Sequence, residues 1–342
     1  MRSAAHGDVL KVWLYAIATA LLGAWLAPFL YNMGKALAEV SAVKQTNGPL
    51  EWLADLARAA DFPQFFVASL GLAAAFLALP FAGWLRADSS GSSASKPWQS
   101  RIPITSGCES SGQPLAKNPH ALRQLSSGFG VGAGLFSAIG SLLLISRFSH
   151  LGAPAGNQLL AVTGILSGAI ASGVLQEIMF RGMVFGIFLR SMSPPFAIGV
   201  SALLFASIHF LFLPHGLNVA DPDIPRVGFE MLGLIISQLS SIEILVESFA
   251  PMLVLGAVLA FARWRTASLW LPIGLHVGWI FVTAMFDHFT LRSVPLDAVM
   301  ELLIGKSLQQ GGCAIIGILI AGGLINLLTV RLSHPPDPAN DA

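Results

Sequence analysis

Long apolar runs separated by short polar breaks cover most of this chain. A helix needs about 20 mostly apolar residues to cross the hydrocarbon core of a bilayer. Eight runs are of that kind: 12–33, 65–84, 130–146, 159–189, 195–213, 250–262, 269–286 and 312–330. The first is followed by Ala36-Leu37-Ala38, which resembles a signal-peptide cleavage site. Its apolar core, however, outruns the roughly 7–15 residues of a signal peptide, so it is expected to remain as a span. Residues 229–239 are apolar but short, which suits an interfacial or re-entrant helix. The expected fold class is all-α, a polytopic integral membrane helix bundle of about eight transmembrane helices.

Composition sharpens this picture. Of 342 residues, 54% are hydrophobic and only 11% charged, against about 25% charged in a soluble domain. That deficit excludes a water-soluble globular enzyme, and the mean hydropathy of +0.71 excludes disorder. A net charge of +1 offers no basic surface for nucleic acid. The two cysteines, Cys108 and Cys313, show no CxxC or Cys/His spacing and read as small apolar residues. With the N-terminus inside, the inner segments hold the larger share of Lys and Arg. This predicts a multi-pass protein of the cell (inner) membrane with both termini cytoplasmic.

Three regions follow from the same pattern. Residues 1–128 hold two N-terminal transmembrane helices and a polar, Ser/Gly-rich cytoplasmic loop over 88–127; 129–333 form the core; 334–342 are a loose polar tail. Gly128-Phe129-Gly130 with Ala133 loosely mimics a dinucleotide fingerprint. No strand precedes it and an apolar span follows it, so these small residues are expected to pack helices closely. Gly182 and Gly186, and Gly274 and Gly278, form further GxxxG pairs with the same expected use.

Polar groups in mid-span are expensive, and they are functional candidates for that reason. Three spans carry them. The fourth holds Gln176, Glu177 and Arg181, the last two spaced to share a helix face and pair. The fifth holds His209, one turn after Phe205, and the seventh holds His276 between Gly274 and Gly278. Each has a bland reading: an internal ion pair, a hydrogen-bonding helix contact, a packing motif. Together, a carboxylate and a His can activate water. A second His or an amide can stabilise an oxyanion. That is equipment for hydrolysing a peptide bond within the bilayer, and equally for a proton relay.

These residues resemble the CAAX-protease and bacteriocin-processing (CPBP, or Abi) family of intramembrane endopeptidases, over somewhat more than a third of the chain. The family carries EExxxR, FxxxH and HxxxN on successive spans. Here the motifs read Gln176-Glu177-Ile178-Met179-Phe180-Arg181, Phe205-Ala206-Ser207-Ile208-His209 and His276-Val277-Gly278-Trp279-Ile280. The resemblance implies an eight-helix bundle, no bound metal or other cofactor, and a membrane-associated peptide or protein as substrate. It implies that position 176 and His209 activate water, that His276 and position 280 hold the oxyanion, and that Arg181 and Glu177 orient the site. Eukaryotic relatives trim prenylated C-termini and bacterial relatives act on other peptides, so prenyl recognition is not carried over.

Two positions depart from the family. Gln176 replaces the water-activating Glu, and an amide cannot accept a proton as a base. Ile280 replaces the Asn, removing an oxyanion donor whose loss typically costs about 10²–10³ in rate. Three accounts of Gln176 stand open: Glu177 takes over as base, the chain is a natural non-cleaving relative, or the glutamine was introduced to silence the enzyme. The intact remainder of the motif favours the third. A non-cleaving binding or scaffold protein on the same fold is the alternative function. A proton-coupled transporter is a less favoured alternative, since transporters often show an inverted repeat and this chain shows none. A zinc hydrolase built on His209, His276 and Glu177 is the weakest alternative.

Overall fold

In the computed structural model, residues 2–44, 48–87, 118–211, 217, 219–293 and 297–330 are described. Cys108, the tail and most of the polar connector lie outside them. The helices are α1 (Arg2–Lys44), α2 (Pro49–Ala59), α3 (Phe62–Ala87), α4 (Ala121–Ile145), α5 (Gln158–Glu177), α6 (Phe185–Ser191), α7 (Pro194–Leu211), α8 (Val227–Gln238), α9 (Ile242–Ile244), α10 (Ala250–Thr266), α11 (Trp270–Phe289), α12 (Ala298–Ile304) and α13 (Gly311–Val330). Two short strands, β1 (Ser149–Leu151) and β2 (Thr290–Arg292), pair antiparallel with His150 opposite Leu291. Among the described residues, eight helical stretches are long and apolar enough to cross a membrane. They coincide with the eight runs expected from the sequence, so the fold is an all-α polytopic helix bundle. The short apolar run became α8, a 12-residue helix.

Among the described residues, two turns are π-helical. Ile178–Val184 joins α5 to α6, and Leu245–Phe249 joins α9 to α10. The second has a visible cause. Pro251 has no N–H, so it cannot bond the carbonyl of Glu247 four residues back, and the turn before it widens.

The chain divides into two units, 1–97 with 207–242, and 98–206 with 243–342. In the first, α1 and α3 pair along their length, with Tyr15 Oη donating to the Ala74 carbonyl (2.7 Å) and Ser69 Oγ to the Gly23 carbonyl (2.7 Å). Pro28 inside α1 cannot donate to the Ala24 carbonyl. The backbone of Gly228 on α8 backs onto that same oxygen, where an added Cβ would lie 1.8 Å away. Proline on one helix and glycine on another thus share one contact.

In the second unit, α4 and α11 interlock through glycines on both helices. A Cβ at Gly128 or Gly132 would lie 2.3 or 2.4 Å from the carbonyl oxygens of Leu271 and Leu275. One at Gly274 or Gly278 would lie 2.1 or 2.6 Å from those of Leu125 and Phe129. This is the close packing expected of Gly274 and Gly278 and of Gly128, whereas a Cβ at Gly130 would meet nothing within 4 Å. Gly182 and Gly186 do not share it: a Cβ at Gly186 would meet nothing within 4 Å, and one at Gly182 only ordinary contacts.

Candidate active site

Glu177 closes α5, and Gly173 one turn earlier explains its placement. With no side chain, Gly173 lets α5 lie against Val277, whose Cγ2 would stand 2.7 Å from an added Cβ. The residue beside Val277 is His276, so the close approach brings Glu177 and His276 face to face. Glu177 Oε1 stands 2.7 Å from His276 Nδ1. A carboxylate only accepts, so Nδ1 is the protonated nitrogen and donates. In the neutral imidazole, Nε2 then keeps its lone pair.

The same Oε1 accepts from Arg181 Nη1 at 3.0 Å, across the π-helical turn. Arg181 Nη2 donates to the Gly256 carbonyl on α10 at 3.1 Å. Gly256 in turn lets α10 approach α7, since a Cβ there would lie 3.0 Å from Ala202 Cα. The guanidinium stacks over the Phe205 ring, with Cζ 4.3 Å from the centroid, a cation–π contact that strengthens where water is excluded. Phe205 also meets His276 edge-on at 5.9 Å.

Glu177 and Arg181 are 0% exposed and His276 1%. Burying an ion pair this deeply is unfavourable unless its hydrogen bonds are met, and the cluster meets most of them. Glu177 Oε2 and Arg181 Nε are buried without a partner. At 1.5 Å per residue, His276 lies roughly 9 Å into α11, and Arg181 roughly 15 Å from the end of α6. Both therefore lie well inside their helices, nearer the ends joined by the α6–α7 and α10–α11 turns.

The structure thus brings together Glu177, Arg181, His276 and Phe205 from four helical segments. Gln176 is half-buried one residue before Glu177, and His209 is half-buried on α7 but belongs to the other unit. Ile280 packs into an apolar cluster with Ala169, Leu269, Ile273 and Val277. Among the described residues no three His, Cys, Asp or Glu side chains group as metal ligands. Sequence reasoning missed the Gly256 carbonyl, which carries no signal beyond a glycine in an apolar span.

A multi-pass helical membrane protein with a buried Glu–Arg–His cluster is the class that fold and site define. Residues 158–282 match the family model described as type II CAAX prenyl endopeptidase Rce1-like. The resemblance drawn from three short motifs therefore holds, and that stretch contains all of them. The match supports a CAAX-protease type of intramembrane endopeptidase at family level. No curated protein and no solved structure matches the chain.

Proposed function

We propose that this chain hydrolyses a peptide bond of a membrane-associated substrate, with His276 as the general base. The observation that carries the reading is the 2.7 Å contact between His276 Nδ1 and Glu177 Oε1. A carboxylate that accepts from one imidazole nitrogen fixes the tautomer and leaves the other nitrogen basic. Nε2 takes a proton from a water whose oxygen attacks the scissile carbonyl carbon. The carbonyl oxygen gains the negative charge, and the new imidazolium faces Glu177. When the C–N bond breaks, His276 returns the proton to the leaving amine nitrogen. Arg181 holds Glu177 in place and balances its charge.

This arrangement does not require position 176 to be a base. The amide of Gln176 keeps a hydrogen-bonding oxygen for water. Glu177 serves as the orienting carboxylate, because Arg181 and His276 both occupy Oε1. With the N-terminus inside, the nearer membrane face is the cytoplasmic one.

The test uses the full chain in phosphatidylcholine/phosphatidylglycerol vesicles with a palmitoylated, quenched-fluorescent peptide library. Cleavage is expected from the chain and from Gln176→Glu, and loss by about 10²–10⁴ in His276→Ala, the size of a general-base contribution. Full activity in His276→Ala overturns the assignment, as does the absence of cleavage by both parent forms. A binding protein on the same fold is the second reading, favoured by Gln176 and Ile280. Its signature is a captured but intact peptide.

A further inference from the structure

The reading above leaves the developing oxyanion without its usual donor, since Ile280 has no polar atom and is packed among apolar neighbours. A different side chain offers what Ile280 lacks. Trp279 follows His276 by three residues on α11, and the two rings are 5.8 Å apart between centroids. Trp279 is 3% exposed, and its Nε1 is buried with no hydrogen-bond partner. An indole N–H only donates, and buried Trp normally finds an acceptor for it.

The ring is also held in place. Phe136 of α4 meets it edge-on at 6.1 Å. The close approach of Gly132 brings α4 near the backbone of Trp279 itself, where an added Cβ would lie 3.1 Å from its nitrogen. A packed, buried donor with no acceptor, beside the proposed base, fits an acceptor oxygen present only when a peptide is bound. Other buried groups of this cluster complement it: Glu177 Oε2 accepts and Arg181 Nε donates, both without partners in the resting protein.

We propose that the Trp279 indole N–H donates a hydrogen bond to the scissile carbonyl oxygen as it becomes an oxyanion, replacing the donor lost at position 280. This rests on the peptidase reading. It makes Trp279 a catalytic residue in its own right rather than a packing residue that sets the pose of His276.

The experiment measures kcat and KM of the parent, the more active of the chain and Gln176→Glu, against Trp279→Phe in the same vesicles and library. The expected result is a fall in kcat of about 10²–10³ with KM unchanged, the usual effect of losing one oxyanion donor. Should Trp279→Phe fold poorly, Trp279 is replaced instead by benzothienylalanine, which keeps the bicyclic shape and exchanges N–H for sulfur, with the same expected loss. A replacement that folds and cleaves within threefold of the parent overturns the proposal, as does a loss carried by KM alone. If no parent form cleaves, the peptidase reading fails and this inference falls with it.

Discussion

Among the described residues, one buried glutamate directly precedes a π-helical turn and another lies within a second, and the contrast between them separates a candidate site from a structural contact. Glu177, before the first turn, is held by a fully buried Arg181 and a nearly buried His276. Glu247, within the second, is 2% exposed. Its partner is Lys306 at 3.4 Å, whose side chain is 59% exposed. Both carboxylates leave one oxygen unpartnered. The difference is in what holds them. Arg181 is fixed by a carbonyl and a ring face, so the geometry around Glu177 is rigid. Lys306 is a flexible cation reaching in from the rim, which satisfies a charge without defining a direction.

The largest expected break in this contrast is Arg181→Ala. It leaves a buried carboxylate without its cation, a change that costs about 3–5 kcal/mol. Thermal unfolding of the purified protein in detergent should show it, and the double variant Arg181→Ala/Glu177→Ala should restore part of the loss. Next comes the charge-removing pair Glu177→Gln and Glu247→Gln. Only the first should depress peptide cleavage, because an amide at position 177 no longer fixes the tautomer of His276. Loss of tautomer control is worth up to about 10⁴ in kcat in a related triad. Equal effects on cleavage would erase the distinction drawn here. The smallest effect in the same thermal unfolding is expected from Lys306→Ala, below that of Arg181→Ala, because this cation is 59% exposed and water can take its place beside the buried Glu247. Raising the salt concentration should shrink it further.

The spans were legible because lipid and protein interiors both demand uninterrupted apolar length, which a sequence displays directly. The Glu177–Arg181 pair was legible for the same kind of reason: four residues is a local spacing. The Glu177–His276 bond joins positions 99 apart and became visible only with the packing of α5 on α11. The π-turn after Glu177 left no compositional mark, whereas Pro251 does mark the second one. The GxxxG pattern identified the α4–α11 contact at Gly274 and Gly278 but not at Gly182 and Gly186, since such glycines pack only where a neighbouring backbone arrives. Trp279 escaped notice because its apolar body fits a span, and only its unpartnered N–H distinguishes it.

The glycine seam between α4 and α11 has a consequence for how the protein can be handled. Its attraction comes from backbone atoms in direct contact, through dispersion and Cα–H···O interactions, and not from water being driven off apolar surface. Exchanging lipid for detergent therefore changes little at this joint. The helix bearing His276 and Trp279 should keep its rotational setting through solubilisation, which makes purified protein a fair reporter of the chemistry in the bilayer.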